Sequence, residues 1–350
     1  MKKCVGICLL CLAATGCHGL KVNATISAHD PIPARMQTNM KCLDEGPLCE
    51  VVVAPGDCNP SDGKIAIIDV DGLLVNYNQV GSYSNGENPV AIFKEKLAAA
   101  AMDKSVRGVI LRINTPGGTV GATNVMYHEL MSFRAHTQKP VVACILDVGA
   151  GGGYYLAAGC DRIVAIPSAL VGGIGCIFNS YYAEQAMEKQ SVYHQYIKAG
   201  KLIDMGNVIY DLKNQPGQQK LLQGMADEYH GEFIDAVLRG RGAVPRNSSV
   251  FDGRIMTADI AVETGLVDSL GHLSDAIATL AEMAGVGAPR TVMYCRKEFP
   301  ARTAYAINQN HPPQNNTIIG GSIPGLDRSR TNLFLFLWQA EPTLMKLAVP

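Results

Sequence analysis

The chain has 350 residues, of which 47% are hydrophobic and 17% charged, and its formal net charge is -1. That balance allows a large buried core and excludes a mainly disordered chain. Near-neutral charge without a Lys/Arg stripe argues against a nucleic-acid partner.

Residues 1–16 read as an export signal. Lys2 and Lys3 give a positive start, and Val5 to Ala14 form an apolar stretch too short to span a bilayer. Small residues, Ala14-Thr15-Gly16, then lead to Cys17. Residues 17–60 read as a linker or N-terminal addition, and regular structure is expected over a core of residues 61–286. Ile65 to Val70 has a buried-strand pattern. Residues 91–104 have helical spacing, with Ile92, Phe93, Leu97 and Ala101 on one face. Arg107 to Asn114 is a second strand, ending in Thr115-Pro116-Gly117-Gly118, and a helix is expected from Ala122 to His136. A third strand, Lys139 to Leu146, ends in the run Gly149-Ala150-Gly151-Gly152-Gly153, and a helix begins near Tyr154. Arg162 to Ile166 is a fourth strand, followed by Gly172-Gly173-Ile174-Gly175. A long amphipathic helix over 215–238 ends in Arg239-Gly240-Arg241-Gly242, as the helix dipole and C-cap favour. Short helices follow at 256–264 and 274–284. After Gly287 the pattern weakens, and 287–350 reads as a C-terminal extension. Within it, 300–330 reads as loop or tail, and Leu333 to Trp338 as a strand or docking segment. Alternating strands and helices predict parallel βα units, with ligands where strand C-termini meet helix N-termini.

Of eleven cysteines, Cys4, Cys8 and Cys11 lie in the signal. Cys42, Cys49 and Cys58 lie outside the expected core, and an exported chain would oxidise them. Three is an odd number, so one pairs with Cys295, pairs between chains, or stays free. Cys144, Cys160 and Cys176 read as small core residues. There is no CxxC or HExxH and the histidines are scattered, so neither a metal nor a cofactor is expected.

The glycine runs carry the chemistry. Gly149-Ala150-Gly151 starts like a dinucleotide fingerprint, but Tyr154 stands at the sixth position, and no GxxxxGK[ST] occurs. A tight strand-to-helix turn also displays a serine nucleophile in many hydrolases. Here glycine stands at its centre, and backbone N–H groups of Gly117, Gly118 and Gly152 are candidate oxyanion or peptide-binding donors. The plain alternative is that the glycines only permit tight turns.

Ordered motifs along the chain resemble the bacterial signal-peptide-peptidase A (protease IV) family. Arg112 to Val120 is similar to its "LRINSPGG" turn, Asp147 to Ala157 (DVGAGGGYYLA) to "DVAASGGYYIA", and Ala165 to Ile177 to "ANPGTITGSIGVI". Ile197 to Gly206 (IKAGKLIDMG) is similar to "IKSGKYKDMG". Arg239 to Gly242, Asp252-Gly253-Arg254 and Gly265 to Asp268 match later landmarks. The resemblance covers residues 64–285. It implies an α/β fold of the Clp-protease/crotonase-like kind, a spiral of ββα units assembled as a ring, and membrane-associated cleavage of leftover signal peptides. It also implies that Asp147 and Asp204 hold loops by hydrogen bonding. The carry-over breaks at the chemistry. The family's nucleophilic serine corresponds to Gly151 and its general-base lysine to Ile203, so neither half of a Ser-Lys dyad remains. Possible substitutes are Lys201, which needs a shift of ~7 Å to reach inward, and Ser168 or Cys176 on the following turn. The residues before Cys17 resemble a lipoprotein signal, making Cys17 the lipid-bearing residue; the alternative is ordinary signal cleavage.

The leading expectation is a pseudoprotease of the cell envelope, exported and lipoprotein-anchored at the inner membrane or in the periplasm. It binds signal peptides or unfolded chains, as a homo-oligomeric ring or with an active paralogue. The alternatives are an active serine-type endopeptidase with a displaced nucleophile, and a lipid-anchored structural protein with a vestigial cleft.

Overall fold

The computed structural model describes residues 47–56, 63–77, 87–180, 182, 184–207, 211–296 and 334–338. The signal, Cys17, Cys42, Cys58 and the 300–330 tail lie outside the described residues. In chain order the strands are β1 (Leu48–Ala54), β2 (Lys64–Leu74), β3 (Val106–Thr119), β4 (Val141–Ala150), β5 (Arg162–Ala165), β6 (Leu170–Gly172), β7 (Ile177–Phe178), β8 (Ile255–Thr257), β9 (Ser269–Leu270), β10 (Arg290–Arg296) and β11 (Phe334–Leu337). The helices are α1 (Pro89–Met102), α2 (Val120–Thr137), α3 (Gly152–Ala158), α4 (Glu184–Lys189), α5 (Pro216–Gly240), α6 (Ala258–Glu263) and α7 (Leu273–Ala284).

The main sheet runs β1-β10-β2-β3-β4-β5-β9. Every neighbouring pair from β10 to β9 is parallel, and only β1 joins antiparallel. Parallel strands are covered on both faces, which is why their sequences are apolar without alternation. In β2, Ala66, Ile68 and Val70 face the layer containing α1, α2, α3 and α5, while Ile65 and Ile67 face α7. Across the sheet, Asp69 of β2 pairs with Arg112 of β3 at 2.6 Å, both nearly buried, in the middle of the two strands.

The sheet is wider than residues 61–286. Residues 48–54, read as linker, form β1, and β10 arises beyond Gly287 where the pattern weakens. Each gains its backbone partners from the other, and β10 also from β2. The register sets Cys49 directly opposite Cys295, with both thiols free. A second difference concerns Thr115-Pro116-Gly117-Gly118, expected as a turn. It continues β3 as strand, because Leu73 and Leu74 of β2 pair with Gly117 and Gly118.

Candidate functional site

Gly151 joins β4 to α3 and is buried. Its φ of 51° lies in the region that disfavours side chains, as a sharp strand-to-helix turn demands. Its N–H donates to the Gly172 carbonyl at 3.0 Å, and its carbonyl accepts from the Tyr155 N–H at 2.9 Å. Those bonds tie the turn to β6 on one side and to α3 on the other. Tyr154 is fixed as well: its hydroxyl donates to the Leu266 carbonyl at 2.8 Å.

A short strand lies across this turn. β11 runs antiparallel to the end of β3, with Leu335 opposite Thr119, Phe336 opposite Gly118 and Leu337 opposite Gly117. On its other edge it pairs with β7. The Trp338 N–H donates to the Pro116 carbonyl at 2.9 Å. Alternate pairs of an antiparallel ladder are the bonded ones, so Phe336 and Gly118 form the next bonded pair. A side chain at position 151 would begin over the Phe336–Leu337 peptide bond. Its Cβ would stand 2.7 Å from the Phe336 carbonyl carbon and 3.0 Å from the Leu337 nitrogen, with the Phe336 oxygen closer still. Gly117 (φ 111°) meets the same oxygen, and a Cβ there would also lie 2.8 Å from the Gly152 nitrogen.

Alternate side chains of β11 enter two aromatic pockets. Phe336, 1% exposed, stacks on Tyr155 at 5.4 Å and tilts against Phe233 at 4.9 Å. Tyr155 is held edge-on by Tyr127 at 4.9 Å. Phe334 packs against Phe178 at 5.1 Å and Tyr229 at 5.2 Å. Aromatic pairs of this kind contribute about 0.5–1.5 kcal/mol each beyond area burial. Spacing alone did not mark Phe178, Tyr229 or Phe233 as walls, and Tyr155 stood out only within the DVGAGGGYYLA motif. The apolar run 333–338 was the available signal.

Of the three expected donors, Gly118 faces the β11 backbone, while the Gly117 N–H donates to Thr115 Oγ1 at 3.0 Å and is already engaged. Gly152 starts α3 against Thr123 of α2.

The position that the resemblance sets at the family's lysine is placed differently. Ile203 sits on a turn of residues 200–206 and is 73% exposed. Lys201 is exposed on the same turn and lines an open cleft against the start of α5. Neither side chain covers the buried Gly151. The turn touches the groove wall at Gly206, where a Cβ would stand 2.9 Å from Cζ of Phe178. Lys198 donates to both carboxylate oxygens of Asp204, at 2.9 and 2.7 Å, so Asp204 does hold its loop. Asp147 is exposed at the end of β4.

Ser168 lies exposed on the turn before β6, at the end of that strand away from Gly172. Cys176 is nearer, with its sulfur beside the Leu335 N–H. Burial pushes its thiol up to about 11, outweighing that N–H. It is therefore a neutral thiol at pH 7 rather than a nucleophilic thiolate. Among the described residues no cluster of His, Cys, Asp and Glu is placed to hold a metal ion, and no helix is long and apolar enough to cross a membrane.

Residues 134–287 match peptidase family S49. The chain is 35% identical over 224 residues to a Synechocystis protein named as a protease, covering 64% of this chain and 75% of that one. It is 30% identical over 228 residues to Protease 4 of Salmonella typhi, covering 64% of this chain and 36% of that protein. Among solved structures, a variant of a membrane-bound stomatin-specific protease aligns at a TM-score of 0.40 and 14% identity, over 63% of this chain and 84% of the other. The α/β class and the protease IV resemblance both stand, and the chain belongs to peptidase family S49.

Proposed function

We propose that this chain is an S49 family member that holds extended peptides in its groove without hydrolysing them. One observation carries the reading: a strand already lies along Gly117–Thr119, with its Phe336–Leu337 peptide bond over Gly151, where no attacking group exists. Pairing along a strand edge is a common mode of peptide capture, with backbone bonds giving affinity and alternate pockets giving selectivity. The exposed positions of Ile203, Lys201 and Ser168 and the neutral thiol of Cys176 speak against a displaced catalytic pair.

The setting goes with this reading. The chain is exported to the cell envelope, anchored through Cys17, and assembled with copies of itself or an active paralogue. Val192, Tyr193, Tyr196, Ile197, Leu202 and Ile203 are all exposed over one short segment. Contiguous exposed apolar side chains mark interaction surfaces.

The test is a pair of assays on the purified full chain. Labelled unfolded casein is expected to bind, and a fluorogenic peptide is expected to stay uncleaved. Cleavage that disappears in Ser168→Ala or Lys201→Ala would overturn the reading in favour of an active peptidase.

A further inference from the structure

We propose that β11 is the resident ligand of the groove, and that outside peptides bind only by exchanging with it. The idea rests on the peptide-binding reading above and adds what controls it. β11 belongs to the same chain as the groove, so it competes at the high effective concentration of a tethered ligand. Its hold is nevertheless short: four residues, paired over three positions of β3 and two of β7. By contrast β2 is an eleven-residue strand inside the sheet. Glycine at 151 is part of the device. Any side chain there would stand within 3 Å of the Phe336–Leu337 peptide bond, so the loss of the family serine is what lets the chain's own strand settle against the turn. The exchange selects its ligands. A competitor must fill the pocket of Tyr155 and Phe233 and, two residues earlier, that of Phe178 and Tyr229. Strand geometry sets that interval of two. The ligand class is an extended peptide with large apolar, preferably aromatic, side chains at alternate positions.

The experiment uses full-length protein and a fluorescent synthetic peptide of residues 331–340 (TNLFLFLWQA). The variant Phe334→Ala/Phe336→Ala is expected to bind that peptide at least 10-fold more tightly than the unaltered chain. The same peptide with aspartate at both phenylalanine positions is expected not to bind. Equal affinity of variant and unaltered chain overturns the exchange and leaves the peptide-binding reading standing. Binding of neither this peptide nor casein to either protein overturns the peptide-binding reading itself.

A separate observation carries a second proposal: the structure assigns Cys49 and Cys295 as a disulfide pair. They are directly opposed across β1 and β10. Alternation puts both on the α7 side, since Val51, Val53 and Met293 face that cluster together with Cys295. Opposed residues have Cβ atoms about 4.5–5.5 Å apart, a small adjustment from the spacing a disulfide needs. Cys295 is buried while Cys49 is partly exposed, which gives an oxidant its entry. Each thiol loses a proton, a bond forms between the sulfurs, and two electrons pass to an oxidised disulfide donor such as oxidised glutathione, which becomes two thiols. After such treatment, mass mapping is expected to find one cross-linked peptide containing both residues, absent in Cys49→Ser. Alkylation of both thiols after treatment, or a link from Cys49 to Cys42 or Cys58, overturns the assignment.

Discussion

The turns at Gly151 and Ile203, which the resemblance sets at the family's serine and lysine positions, are built in opposite ways. The first is buried, tied by backbone bonds to β6 and α3, and roofed by β11. The second is a solvent-facing turn whose Ile203 is 73% exposed and whose Asp204 is held by Lys198 just before it. The chain completes the first by itself. The second presents apolar side chains to water, and it is the surface proposed above for a partner. One turn is thus closed within the chain and the other faces outward.

The sharpest way to break this contrast is to remove a wall of the groove. Tyr155→Ala takes away the ring that touches Tyr127, Phe233 and Phe336, and large aromatic truncations cost about 3–5 kcal/mol. Urea unfolding is expected to show a loss of that order; a loss under ~1 kcal/mol would mean the groove is not part of the core. Gly151→Ala comes next. A non-glycine residue at positive φ costs ~1–2 kcal/mol, and the contact with Phe336 adds to it, so chymotrypsin is expected to reach β11 sooner in this variant than in the unaltered chain. Identical digestion would show that position 151 and β11 do not meet.

Asp103 gives the scale for a partly exposed polar contact elsewhere. Burial raises its carboxyl, but hydrogen bonds from Ser105 and Lys64 outweigh this and hold it at about 2, below its usual 3.8. Its folded-state value is depressed, so its contribution is fully present above pH 3.8 and is lost as pH falls through about 2. Asp103→Asn is expected to flatten the acid limb of a pH–stability curve across that window, by under ~1 kcal/mol given the exposure. An unchanged limb would mean the contact contributes nothing. The smallest stability effect belongs to the outward-facing turn. Ile197→Asp and Ile203→Asp are expected to stay within about 0.5 kcal/mol in urea, while sizing by ultracentrifugation shows a lower oligomeric state. An unchanged assembly would remove the argument for a partner at that surface.

The sequence made the parallel core plain, because strands buried on both faces are continuous apolar runs: Ile65 to Val70 and Val109 to Leu111 needed no context. The elements it hid depend on neighbours. β10 begins Arg290-Thr291 and becomes strand because β1 and β2 flank it. Pro116-Gly117-Gly118 carries the letters of a turn, yet runs as strand. Its glycines are there for close approach, since the Leu74 and Phe336 carbonyls come in where side chains would stand. At the site, motif order singled out Gly151 and Ile203 along the chain. It could not reveal that a segment nearly two hundred residues further on lies over one of them. Nothing local in Phe334–Leu337 names its partner; the pockets are assembled from α2, α3, α5 and β7.

The chain contains a single tryptophan, and it is Trp338, whose backbone N–H closes the end of β11 on Pro116. Under the exchange proposed above, the protein carries its own optical gauge of groove occupancy. All indole emission comes from this one residue at the end of β11. A red shift on adding a tryptophan-free peptide would report departure of the strand without any label, and iodide quenching of the same band would follow its return.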